Sequence, residues 1–222
     1  IVYILLDDVG FGELGNPGLD VIRGYSTPNI NKLATQGMSL QRMYTEPSCT
    51  PTRVAMMTGR HPIRTGLNEA KVSLVGEGLP AAEVTLAEVL KDSGYATSHV
   101  GKWHMGDIEQ AFAHKQGFQR AEFPIHQQAQ LALMVPEAER SDITRSLGTD
   151  GTVPDELILD NTFQTDPGHM LTGVELRDGK LYEVDLKPGE QWTQKHYRAM
   201  NERYQASALR ELNDLAKGDK PF

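Results

Sequence analysis

The chain holds a single cysteine, Cys49, in the run Cys49-Thr50-Pro51-Thr52-Arg53. Pro51 suits a first helical turn and Gly59 a C-terminal stop, so the spacing predicts a helix with Cys49 at its N-terminus. Unpaired N–H groups and the positive end of the helix dipole favour an anion there, either a thiolate or a bound oxyanion such as sulfate or phosphate. Arg53, one turn along, can add a bidentate fork to that anion. Two plainer readings compete: a buried structural cysteine near a surface arginine, and the phosphate loop of a cysteine phosphatase. The second lacks the glycines and small residues that wrap a phosphate in backbone amides.

Two further sets of residues have types suited to chemistry. Asp7 and Asp8 are adjacent carboxylates, which make either a cation site or a solvated turn. Gly101-Lys102-Trp103-His104 puts a cation and an imidazole two residues apart. The other histidines, His61, His114, His126, His169 and His196, have no motif around them, and His99 alternates with small residues as a core position would.

These groups need elements to position them. Ile1-Val2-Tyr3-Ile4-Leu5-Leu6 is a continuous apolar run, which predicts a strand buried on both faces of a largely parallel sheet, with Asp7 and Asp8 at its carboxyl end where open α/β sheets bind ligands. Thr27 as N-cap, Pro28, the apolar set Ile30, Leu33 and Ala34, and Gly37 as terminator predict a short helix. Thr85 and Glu88 form a capping box for a second helix, with Leu86, Val89 and Leu90 expected to face inward and Gly94 to end it. A strand from Tyr95 to Val100 should then deliver Lys102 and His104 to the sheet edge. Residues 105 to 170 show weak periodicity and read as irregular structure and short helices. Asp178-Gly179 marks a hairpin between Val174-Glu175-Leu176 and Leu181-Tyr182-Glu183-Val184. Tyr197, Tyr204, Ala208, Leu212 and Leu215 recur at helical spacing, which predicts a last helix covering the sheet and feeding another strand.

Taken together, four motifs resemble the formylglycine-dependent sulfatase family. Cys49 to Gly59 has the form C-x-P-x-R-x-x-x-M-T-G, similar to the family's first signature, in which the cysteine is oxidised to formylglycine. Gly94 to His104 resembles the second signature with its terminal G-K-x-H, Asp7-Asp8-Val9-Gly10-Phe11-Gly12 resembles the opening metal motif, and Thr27-Pro28-Asn29-Ile30 stands where the family carries the same words. The resemblance implies an α/β fold of the alkaline-phosphatase-like superfamily, with a largely parallel central sheet flanked by helices. It implies that residues 1–222 are the N-terminal part of the catalytic domain. It further implies hydrolysis of a small-molecule or carbohydrate sulfate ester after maturation by a formylglycine-generating or other sulfatase-maturating enzyme. Asp7, Asp8 and the modified Cys49 would hold a divalent cation, usually calcium, with magnesium as an alternative. Arg53 would steady the nucleophile, Lys102 would bind sulfate oxygens and His104 would act as base. The family's later Asp-Asn metal ligands are matched only by Asp160-Asn161, which reads better as a turn or helix cap. Phosphate or phosphonate ester hydrolysis by the same cysteine motif, and a non-catalytic binding relative, are the competing functions.

Charge and composition agree with this class. With 22 Lys and Arg against 30 Asp and Glu the net charge is −8, and no basic run occurs, which argues against a nucleic-acid or anionic-lipid surface. The longest apolar run, Ile1 to Leu6, is too short to span a bilayer. One cysteine permits no internal disulfide, so periplasmic, secreted and cytoplasmic placements all stay open.

Overall fold

The structure, a computed structural model, describes residues 1–15, 26–40, 42–70, 77–106, 108–123, 170–177, 180–186 and 194–222. Two compact units divide it, Ile1–Thr45 and Glu46–Phe222.

In the first unit, helix α1 spans Pro28–Gln36 with Thr27 as N-cap, as Pro28 predicts. The Thr27 hydroxyl donates to Asn31 Oδ1 at 2.9 Å and accepts the Gly15 N–H at 2.9 Å, so it ties the helix start to the preceding segment rather than capping the helix. The apolar set on α1 is not buried, and Leu33 is 67% exposed. The run Ile1–Leu6, expected as a doubly buried strand, forms no strand, and Ile4 is 75% exposed. Apolar content alone does not make a strand. The run also needs a neighbouring ladder for its N–H and C=O groups, and among the described residues no strand pairs with it.

The second unit carries the α/β architecture. Helix α2 spans Cys49–Thr58 and helix α3 Leu86–Asp92; strands β1 (Ser98–Val100), β2 (Arg120–Phe123), β3 (Met170–Arg177) and β4 (Lys180–Leu186) follow, then the long helix α4, Gln194–Lys217. The strands form one sheet in the order β1-β2-β3-β4. The β1–β2 pair is parallel and the other two pairs are antiparallel. The predicted hairpin is present, with Arg177 opposite Lys180 and Leu176 opposite Leu181; Asp178 and Gly179 lie outside the described residues. Strand β2 falls where the sequence suggested irregular structure and short helices. Its four residues are too few for a period to stand out, and pairing with β1 supplies what local pattern does not. Short 3-10 turns at Glu109–Ala111 and Ala113–Lys115 fill the crossover.

Helix α3 begins with the expected capping box. The Glu88 N–H reaches the Thr85 hydroxyl at 3.2 Å, and the Thr85 N–H reaches Glu88 Oε2 at 2.7 Å. It ends with Gly94 at φ 90°, with the Tyr95 N–H on the Leu90 carbonyl at 3.0 Å and the Gly94 N–H on the Lys91 carbonyl at 2.9 Å. This paired closure needs a left-handed residue, which glycine adopts without penalty. The buried side of α3 is Ala87 and not the expected Leu86 and Val89, which are 47% and 51% exposed. Gly117 comes close there: a Cβ on it would lie 2.3 Å from the Glu88 nitrogen, so backbone packs on backbone.

The core gathers Val54 and Met57 of α2, Leu67, Leu79, Ala87, Trp103, Met105, Ala113, and Ala121 and Phe123 of β2. Helix α4 covers β1 and β2, as expected. Arg203 Nε donates to buried Glu122 of β2 at 2.8 Å, and Arg210 lies 3.6 Å from the other Glu122 oxygen. Ser98 and Arg120 both reach Glu211 Oε2 at 3.2 Å. Beyond α4, the Pro221 carbonyl accepts the Ala96 N–H at 2.8 Å.

Candidate active site

Helix α2 starts at Cys49, as the spacing predicts, behind an extended Ser48 (φ −150°, ψ 174°). It stops at Gly59 (φ 64°), whose N–H donates to the Ala55 carbonyl at 2.8 Å. Cys49 is half-buried at the first helical position, with a free thiol. Pro51, Val54 and Met57 anchor the helix inward. The amide-rich end of α2 is therefore fixed, and residue 49 is placed where the dipole favours negative charge.

Arg53 is not a surface arginine. It is 7% exposed, and its Nη1 donates to the Lys102 carbonyl. A buried guanidinium on a loop carbonyl ties α2 to the segment 101–104 across 49 positions of sequence. That segment turns at Gly101. Gly101 has φ 105°, and its N–H donates to the Glu122 carbonyl of β2 at 2.9 Å. Lys102 is half-buried. Trp103 turns inward, fully buried, and its indole N–H donates to the Ala111 carbonyl at 2.6 Å. His104 is 2% exposed and holds φ 57°.

Among the described residues, the non-glycine positions at positive φ are Asp8 (55°) and His104 (57°), both singled out from sequence as site residues. A non-glycine residue in that region costs on the order of 1 kcal/mol or more, a strain that clusters at functional sites. Asp8 and its neighbour Asp7 are exposed, and the 3-10 turn Phe11–Glu13 follows them, its Glu13 carboxylate accepting the Gly10 N–H at 2.6 Å. The structure thus brings Arg53 together with the Lys102–His104 loop in the second unit and places Asp7 and Asp8 in the first. Asp160 and Asn161 lie outside the described residues.

Carboxylate oxygens of Asp7 and Asp8 are the donor type a hard cation takes. The pair is a partial donor set, because no group of three or more His, Cys, Asp and Glu side chains that could hold a metal occurs among the described residues.

His99, read from sequence as core, packs its ring against Trp103 (centroids 5.1 Å apart, edge-on), Phe118 (5.2 Å) and Phe123 (6.1 Å). Burial, with a smaller push from the Arg53 charge and partly opposed by the Gly101 carbonyl, lowers its pKa to about 4. His99 Nε2 is 3.0 Å from the Gly101 carbonyl. Sequence reasoning missed this contact; its one signal is a histidine two residues before a glycine that must turn. His114 is also lowered, chiefly by burial and then by Lys115.

The sulfatase family model matches residues 1–166. The chain is 44% identical over 115 residues to the Homo sapiens steryl-sulfatase, which covers 48% of this chain and 19% of that protein. It is 39% identical over 127 residues to the Sus scrofa N-acetylgalactosamine-6-sulfatase, 53% of this chain and 24% of that one. The chain therefore spans about a fifth of the length of these curated relatives. The crystal structure of the PsFucS1 sulfatase from Pseudoalteromonas sp. superposes with a TM-score of 0.70 at 26% identity, over 98% of this chain and 41% of that one.

Proposed function

This chain belongs to the sulfatase family, and we propose on that premise that it carries the nucleophile-bearing part of an enzyme hydrolysing sulfate esters, residues 1–222 being the N-terminal part of its catalytic domain. The family works with formylglycine and a divalent metal. We assign residue 49 as the formylglycine site and calcium as the metal, held in part by Asp7 and Asp8 and by the oxygen of modified residue 49.

The observation that carries the reading is the bond from buried Arg53 to the Lys102 carbonyl. It joins the helix that opens with Cys49 to the loop that carries Lys102 and His104, so that nucleophile, cation and base share one framework. Hydrated formylglycine would supply a geminal diol: one hydroxyl would attack sulfur, breaking the S–O bond to the ester's alcohol, which leaves with a proton, and the other would then lose its proton to expel sulfate by C–O cleavage and restore the aldehyde. Lys102 neutralises sulfate oxygens as a point charge. His104 takes the proton of the second hydroxyl as general base. Arg53 acts by positioning: its guanidinium holds the Lys102 carbonyl and offsets negative charge at residue 49.

The substrate class is a sulfated small molecule or carbohydrate, and the maturation partner is a formylglycine-generating enzyme. The test is to produce the full-length protein with that enzyme, map residue 49 by peptide mass spectrometry, and assay paired aryl sulfate and aryl phosphate. Aldehyde at residue 49 and turnover of the sulfate are expected. Free thiol alone, or preference for the phosphate, would overturn the reading.

A further inference from the structure

We propose that His99 is a positioning residue whose imidazole, projecting from β1, holds the Gly101 carbonyl and so sets the turn that presents Lys102 and His104. The proposal rests on the sulfatase reading only for what those two residues then do.

Three polar groups of this turn are gripped from three elements. The Gly101 N–H donates to the Glu122 carbonyl on β2 at 2.9 Å. The Gly101 carbonyl faces His99 Nε2 on β1 at 3.0 Å. The next carbonyl, that of Lys102, accepts from Arg53 on α2. A carbonyl only accepts, so Nε2 must carry the proton, which defines the tautomer of the ring. The ring itself has little freedom, with Trp103 edge-on at 5.1 Å and Phe118 and Phe123 at 5.2 and 6.1 Å. Trp103 lies between Lys102 and His104, so the residue that packs on His99 is part of the loop that His99 orients.

Gly101 shows why such a grip is needed. Its φ of 105° gives the backbone an unusual direction, and among the described residues no heavy atom beyond its chain neighbours lies within 4 Å of where its Cβ would be. Packing around that Cβ position therefore does not define the turn, and the peptide plane is held by hydrogen bonds. Without the His99 donor, the plane after Gly101 loses the hydrogen bond on its carbonyl. Small rotations there move both Lys102 and His104 relative to residue 49.

The test uses the full-length matured protein and two substitutions. His99→Leu keeps apolar bulk and removes the donor; His99→Gln places an amide N–H near the position of Nε2. Turnover in the Leu variant is expected to fall between about tenfold and a hundredfold, the scale of a small misplacement of catalytic groups. KM should stay within about twofold, thermal unfolding should change little between the variants, and Gln should restore most of the loss. A Leu variant with wild-type turnover, or Leu and Gln variants equally impaired, would overturn the proposal, because either means that the ring acts by packing alone. Nitrogen-15 NMR of the histidine rings, assigned through the missing signal of the Gln variant, gives a readout that needs no activity. The Nε2-protonated tautomer is expected, and the Nδ1-protonated tautomer would reject the proposal. An inactive wild-type protein showing the Nε2 tautomer would sink the sulfatase reading and leave the grip on Gly101 standing.

Discussion

Burial among three aromatic rings lowers the His99 imidazole from its ordinary 6.5 to about 4, and the same shift has a consequence for stability. In the unfolded chain His99 takes up a proton as pH falls through about 6.5, whereas the folded protein does not until about 4. The unfolded state thus binds more protons in that interval. The stability present above pH 6.5 is lost as pH falls towards 4 and levels off below. The loss is at most about 3 kcal/mol for this one group. Urea unfolding of the full-length protein and of His99→Gln between about pH 7 and about pH 4 measures it, since glutamine does not titrate there. The wild type should lose more stability than the variant, and parallel curves would refute the assignment. At the same scale, the left-handed backbone of Asp8 and His104 marks two residues whose chemistry the sequence motifs already singled out.

The turn between β1 and His104 works as an element because its ends are fixed and its middle is a glycine. Gly101 has φ 105°, yet a methyl group there would meet nothing within 4 Å among the described residues beyond its chain neighbours. A Gly101→Ala change therefore costs conformational energy alone, about 1 to 3 kcal/mol. The expectation is a lower unfolding midpoint together with a lower kcat, because the chain can relieve the strain only by rotating the peptide that carries Lys102. Crystals of the variant enzyme would show the Gly101 peptide displaced. Unchanged kcat and midpoint would mean that the turn tolerates an L-residue and sets nothing. Helix α3 depends on its ends in a similar way, through the Thr85–Glu88 capping box and the left-handed Gly94.

Over the whole molecule, α4 is locked to the sheet by charge as well as by apolar packing. Glu122 is 5% exposed and lies against Arg203 at 2.8 Å and Arg210 at 3.6 Å. Removing one partner of a buried pair leaves a charge out of water without compensation. Arg203→Ala should thus cost about 3 kcal/mol, reduced where Arg210 closes in. It should also withdraw the cation stacked 5.0 Å from the Tyr204 ring, whose hydroxyl burial already holds strongly in the protonated form. Lys115→Ala breaks an exposed pair with Glu109 at 3.1 Å and should cost less than about 0.5 kcal/mol. Thermal or urea unfolding of both variants checks the contrast, and equal effects would show that the α4–sheet contact does not depend on the Glu122 cluster. No helix among the described residues is long and apolar enough to cross a membrane.

By itself the sequence determined the features whose partners lie a few residues away: the start of α2 at Cys49 and its stop at Gly59, the capping box of α3 and the hairpin of β3 and β4. Such features are set by local hydrogen bonds and by the few residues able to take a given φ, so composition and spacing report them directly. The candidate residues Cys49, Arg53, Lys102 and His104 were legible for a related reason, since their types and order carry the motif. Tertiary structure alone decided which apolar residues are buried. Ile1–Leu6 forms no strand, and Ala87 rather than Leu86 or Val89 faces inward, because burial depends on which surface a distant segment brings. It alone also decided that Arg53 grips a carbonyl, that His99 holds Gly101 and that Glu122 lies buried between arginines. These contacts join residues on separate elements, or backbone groups beyond a turn, and their energies depend on distance and solvent exclusion, which exist only once the chain has packed.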